Sequence, residues 1–227
     1  THLVNHIFQF NNYSTSSLGT LGFYGPNGNT NTGFTTPESL ELQHIFKTLY
    51  NGGITHLNME ISSHAIALNR VDDVDVDIAV FTNLTSEHLD FHGNLNNYFN
   101  TKLKLFSKLA SNKVAIINND DPYAHKIINK TKAKILTYGF NDKSDIFPEN
   151  IKLSLTSSEF YINYKNDQFK IKTKLIGDFN ILNILASILV SLSSGLNIQN
   201  IIKAINNFDF IPGRFETYQK SNGGVII

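Results

Sequence analysis

The 227 residues carry 41% hydrophobic and 11% aromatic side chains, enough apolar surface for a sizeable core and too much for a disordered chain. The 19 Lys and Arg residues balance 19 Asp and Glu residues, so there is no basic excess of the kind that attracts nucleic acid or an anionic membrane surface. Cysteine is absent, which excludes disulfides, Cys-ligated zinc and a thiol nucleophile and fits a reducing cytoplasm.

The chain opens at Thr1 and closes on the apolar run Val225-Ile226-Ile227; both ends read as cuts through a longer protein. Apolar residues at helical spacing predict a helix over Leu3–Phe10, and Leu18–Tyr24 reads as a strand with Gly19 and Gly22 inside it. Gly25 to Thr36 is a Gly/Asn/Thr-rich surface loop. The next helix opens at Thr35-Thr36-Pro37-Glu38, with Thr36 as N-cap and Pro37 at the first helical position. Its apolar side is Leu40, Leu42, Ile45, Phe46 and Leu49.

After the turn signal Asn51-Gly52-Gly53, a short strand over Ile54–Asn58 leads into Met59-Glu60-Ile61-Ser62-Ser63-His64 and a helix-compatible run to Arg70. Asp77–Asn83 is a near-continuous apolar run, as a buried parallel strand requires. A polar loop over Asn83–Asn94 follows, then an amphipathic helix over Leu95–Ala110 with Tyr98, Lys102 and Phe106 at i, i+4 and i+8. Lys113–Asn118, Ala124–Lys130 and Lys134–Tyr138 read as strand, helix and strand. This alternation predicts an α/β fold with a mainly parallel sheet flanked by helices.

The texture changes at Lys152–Lys174, where alternation around a turn at Asn166-Asp167 predicts a small added antiparallel β-sheet. Phe179–Ser194, stopped by Gly195, and Ile198–Asn207 are helices. The most apolar stretch, Ile181–Leu192, is interrupted by Asn183, Ser187 and Ser191 and is too short to cross a bilayer.

A carboxylate at the carboxyl end of a strand in an α/β sheet points into the crevice where ligands bind, and Glu60 is so placed; a solvated strand-end residue is the plainer reading. Glu60 and His88 have the donors for a shared magnesium ion. Lys102 joins such a site only if carbamylated, which turns its cation into a carboxylate-like bridge; otherwise it is a solvated helix lysine. His88 and His92 are four apart, but Gly93 argues for a loop and there is no His-Glu-x-x-His pattern, so zinc is disfavoured. None of the 14 glycines is followed by Lys, so the chain holds no P-loop.

Taken together, Thr35–Glu38, Met59–His64, Phe81–Gly93, Tyr98 through Lys102 to Phe106, Asn118–Asp121, Gly177–Asn180 with Asn183, and Pro212–Glu216 resemble, in family order, the Mur ligases of peptidoglycan synthesis, and among them the MurE type. The resemblance implies a P-loop NTPase-like central domain over residues 1–211 that lacks its P-loop, and a hinge over 212–227 leading to a third domain. It implies a monomeric cytoplasmic ligase that forms an amide bond through an acyl phosphate, using ATP and Mg2+. The partners it implies are UDP-N-acetylmuramoyl-dipeptide and a diamino acid, meso-diaminopimelate or lysine. By position, Glu60 and His88 resemble magnesium ligands and Lys102 the carbamylated lysine that holds a second ion. Asn118 and Arg214 resemble nucleotide contacts, and Thr35, Thr36, Ser62 and Arg70 contacts to the UDP-muramoyl-dipeptide. A related folylpolyglutamate synthase and a non-catalytic module for a UDP-sugar peptide are the alternatives.

Overall fold

The computed structural model describes residues 1–25, 28–30, 32–209, 218–219 and 225–226. Helix α1 (His2–Phe10) buries Leu3, Val4, Ile7 and Phe8, one stripe at helical spacing. Strand β1 (Thr15–Gly19) turns through Thr20-Leu21 into β2 (Gly22–Gly25), with Leu18 opposite Phe23 and Gly19 opposite Gly22. The predicted single strand over Leu18–Tyr24 is therefore two strands. Gly22, at φ +103°, takes a backbone conformation that a side chain would strain. Strand β3 (Gly28–Thr30) pairs back on β2, so part of the predicted surface loop is a strand. It is fully exposed, which is why it shows no apolar alternation.

Helix α2 (Ser39–Asn51) buries Leu42, Ile45 and Leu49 and precedes β4 (His56–Met59), which runs parallel to β1 with Leu18 opposite Met59. The strand order in this sheet is β3-β2-β1-β4. A short helix α3 (Ser63–Ala67) is capped by Ser62, whose hydroxyl accepts from Ala65 N–H.

The larger sheet contains β5 (Ile78–Phe81), β6 (Val114–Asn118) and β7 (Lys134–Tyr138), all parallel. Between β5 and β6 lie α4 (Leu89–His92), inside the segment read as a loop, and α5 (Leu95–Lys108); α6 (Ala124–Ile128) joins β6 to β7. The sheet continues through β8 (Ile146–Leu153), β9 (Ser158–Tyr164) and β10 (Asp167–Thr173) in the order β10-β9-β8-β7-β6-β5. The antiparallel meander thus extends the parallel sheet, and its β9–β10 turn falls on Lys165-Asn166, one residue earlier than expected. Helices α7 (Asp178–Ser193) and α8 (Ile198–Asn206) complete the body, and a short ladder pairs β11 (Tyr218–Gln219) with β12 (Val225–Ile226).

Alternation in β6 shows how the layers form. Ile116 faces the core made with α1, α7 and α8, while Ala115 and Ile117 face the core made with α5 and α6. A third core lies between α2, α3 and the β1–β4 sheet, around Leu18, Leu42, Ala65 and Val71. Strands β4 and β5 are the facing ends of the two sheets, and both line one groove of about 850 Å3. No helix among the described residues is long and apolar enough to cross a membrane.

Candidate active site

Glu60 follows directly on β4, and its N–H donates to Leu18 O at 2.9 Å, extending the β1–β4 ladder by one step. The side chain then lies across the β1–β2 turn. Its Oε2 accepts from Thr20 N–H at 3.1 Å and from the Thr20 hydroxyl at 2.8 Å, and its Oε1 accepts from the Thr1 hydroxyl at 3.0 Å. Burial pushes this carboxyl up, but the two Thr20 bonds and the Thr1 bond outweigh it and hold it below the ordinary range. Glu60 is a half-buried carboxylate, ionised at neutral pH, that lines the groove.

Four residues expected at the substrate form one hydrogen-bonded network with it. The Thr20 and Thr35 hydroxyls are 3.1 Å apart. The Thr36 hydroxyl donates to Glu60 O at 2.8 Å and accepts from Ser62 N–H at 3.0 Å. Arg70 donates to Thr36 O at 3.2 Å, pairs with Glu38 at 2.5 Å and lies over the Phe34 ring. One expectation fails here: Thr36 is not the N-cap of α2. That position falls to Glu38, which makes no side-chain cap bond. Thr36 is 1% exposed, and its hydroxyl ties the Thr35–Pro37 segment to the turn after β4 instead of closing a helix end.

His88 starts α4 in a left-handed conformation, φ +57°. Its ring packs edge-on against His64 and Tyr98, with centroids 5.0 and 6.0 Å away. The Lys102 ammonium lies 5.2 Å from the centroid of the same Tyr98 ring, so His88 and Lys102 flank one aromatic. Burial depresses the Lys102 ammonium below its usual range, with Glu87 and Asp121 pulling it partly back. Lys102 lines the same groove as Glu60. His92 is taken up elsewhere: it is buried, stacks on Tyr98 and bonds Ser63 Oγ through Nε2 at 2.9 Å.

Asn118 closes β6 and is 5% exposed. Its amide donates to Thr82 O at 2.7 Å and its carbonyl accepts from Asp120 N–H at 3.1 Å, so it fixes the end of β5 relative to β6. Arg214 lies outside the described residues.

Sequence reasoning missed Thr20, whose only signal was a Gly-Thr pair inside an assumed strand. It also missed the part played by Asp121. That carboxylate accepts from Leu84 N–H at 2.8 Å and Tyr123 N–H at 2.8 Å, anchoring the segment that carries Glu87 and His88.

Among the described residues no three His, Asp or Glu side chains converge as a metal cage. Magnesium keeps several waters and is commonly held by one or two carboxylates together with substrate phosphates. Glu60 supplies a hard oxygen donor of this kind, so its carboxylate fits the ion.

The model of the Mur ligase middle domain matches residues 1–191. The UDP-N-acetylmuramoyl-L-alanyl-D-glutamate--2,6-diaminopimelate ligase of Geobacillus thermodenitrificans (strain NG80-2) is 36% identical over 233 residues, covering 100% of this chain and 48% of that protein. The ligase of the same name from Caldanaerobacter subterraneus subsp. tengcongensis is 38% identical over 216 residues, covering 95% of this chain and 44% of its own length. The chain thus spans about half the length of the curated relatives it matches. A solved structure of a ligase with that name superposes with a TM-score of 0.88 at 28% identity, over 97% of this chain and 46% of that one. A MurF ligase from Thermotoga maritima in complex with ADP shares the fold, with a TM-score of 0.71 at 20% identity over 96% of this chain and 47% of that one. The chain belongs to the Mur ligase middle-domain family.

Proposed function

We propose that this chain is the central, ATP-binding part of a ligase that adds diaminopimelate to UDP-N-acetylmuramoyl-L-alanyl-D-glutamate. In this reading residues 1–211 form the central domain and 212–227 the hinge to a further domain. The observation that carries it is the convergence of Glu60 and Lys102 on one groove, with Glu60 tied through Thr20, Thr35 and Thr36 to Ser62 and Arg70. The relatives' names supply the substrate.

ATP phosphorylates the D-glutamyl side of the dipeptide, the incoming amine attacks the acyl phosphate, and phosphate leaves. Charge accumulates on the phosphoryl group, and preorganised cationic and hard-oxygen groups offset it best where water is excluded. Magnesium, when bound with the nucleotide, supplies Lewis-acid neutralisation of that charge. Glu60 and His88 are the residues assigned to hold it. Lys102 is assigned to hold a second ion as its carbamate. Forming that carbamate requires a neutral amine, and the depressed Lys102 ammonium supports its availability. Asn118 and Arg214 are assigned to the nucleotide, while Thr35, Thr36, Ser62 and Arg70 shape the muramoyl-peptide end. The Thr36 hydroxyl does so indirectly, since it is already engaged by Glu60 O and Ser62 N–H, and Arg70 is held in place by Thr36 O and Glu38.

The phosphate-binding loop is assigned to a segment preceding Thr1. The position of the half-buried Thr1, whose hydroxyl bonds Glu60 and which lines the groove, supports that placement. The test is calorimetric titration with magnesium-ATP of these 227 residues beside a version extended upstream through the loop. Binding only by the extended chain, and diaminopimelate-dependent ADP release by the full-length protein, are expected. Failure of both to bind nucleotide overturns the assignment of Glu60, His88 and Asn118.

A further inference from the structure

Thr20 sits at an exposed turn between two short strands, where the fold asks only for a residue that tolerates a bend. It nevertheless directs both its donors, the backbone N–H and the hydroxyl, at one atom, Glu60 Oε2. The neighbouring Gly19 makes this possible: a Cβ there would come within 2.6 Å of Glu60 Cδ and 2.7 Å of Oε1. The carboxylate therefore lies flat on the turn, in a space only glycine leaves open.

A carboxylate offers about four lone-pair positions, two on each oxygen. Thr20 fills both on Oε2, and Thr1 takes one on Oε1. One position remains, on Oε1. We propose that Thr20 is the positioning residue for Glu60, saturating Oε2 so that the carboxylate meets a divalent cation through Oε1 alone. The inference rests on the reading of Glu60 as a magnesium ligand and adds how that ligand is oriented. Thr20 touches neither cation nor substrate in this scheme; it acts through Glu60, as hydrogen-bond partners of metal ligands do generally.

The experiment uses the full-length protein with Mn2+ as the probe, in the presence of ATP, counting free ion by electron paramagnetic resonance. Thr20→Val removes the hydroxyl donor and is expected to raise the Mn2+ dissociation constant about 10- to 100-fold, the range seen when partners of metal ligands are removed. Thr20→Ser keeps both donors and is expected to bind like the native protein. Thr20→Ala, which retains the backbone donor and adds no branched bulk at the turn, is expected to lose affinity as Val does and serves if the Val variant does not fold. Glu60→Gln is the control on the underlying reading. Loss of Mn2+ binding in Glu60→Gln with native affinity in Thr20→Val or Thr20→Ala overturns the positioning role, as does equal weakening in Ser and Val. Unchanged binding in Glu60→Gln overturns the ligand assignment of Glu60 itself.

Discussion

Replacing Thr36 with Val removes a hydroxyl while keeping the outline of the side chain. That hydroxyl bridges Glu60 O and Ser62 N–H at 2.8 and 3.0 Å, on a residue 1% exposed. A buried polar group stripped of its partner costs about 1–3 kcal/mol. Glu60 and Ser62 are only half-buried, so water recovers part of the loss; we expect about 1–3 kcal/mol for the pair together, not for each. Thr36→Ser keeps the bridge and gives up one methyl, about 0.8 kcal/mol of burial. Global stability alone separates these two variants poorly, so the deciding measurement is local: hydrogen exchange at the Ser62 amide in the full-length protein. With 1.4 kcal/mol per factor of ten, the Val variant should exchange there about 5- to 150-fold faster. The Ser variant should exchange at close to the native rate. A native rate at Ser62 in Thr36→Val, or equal acceleration in both variants, would refute the bridging role.

Lys102→Met tests the buried ammonium. Burial holds the folded-state pKa below the 10.5 of an ordinary lysine, so between the two values the unfolded chain binds more protons and stability rises with pH. The penalty is present below the depressed value and relieved above it. Without metal, nucleotide or bicarbonate, Lys102→Met should be more stable than the native protein at pH 7. That advantage should vanish as the pH climbs toward 10.5, followed by denaturation midpoints across the series; a less stable variant at pH 7 sinks the argument. Gly195→Ala tests the end of α7, where Gly195 stands at φ +88° and its N–H and that of Leu196 close the helix on Leu192 O and Ser191 O. Open space surrounds the position, so the cost is the left-handed conformation alone, about 1–2 kcal/mol by thermal or chemical denaturation.

Much of this architecture was legible because buried elements carry period. The α1 stripe, the apolar run of β5, and the end of α7 at Gly195 follow from spacing and one glycine. The failures share a cause: β3 and the one-turn α4 are exposed or brief, so no apolar pattern marks them. The meander's alternation revealed its hairpin but not its attachment, since the link to the parallel sheet is a single pairing, Tyr138 with Ile146.

The site divides the same way. Glu60 could be singled out because strand ends in α/β sheets face the ligand crevice, and that depends on chain order alone. What makes it a candidate ligand instead of a solvated carboxylate is non-local: a turn 40 residues earlier supplies two donors, and a glycine supplies the room. Thr36 shows the reverse error. Thr-Pro-Glu is a sound helix-start signature, and the hydroxyl does accept an N–H, but that N–H belongs to Ser62, 26 residues away. A hydroxyl's bonding capacity can be read from its type, whereas its partner depends on which segments the sheets bring together. The residues that orient Glu60 and Ser62 are therefore those whose local signals were weakest or already explained by a simpler role.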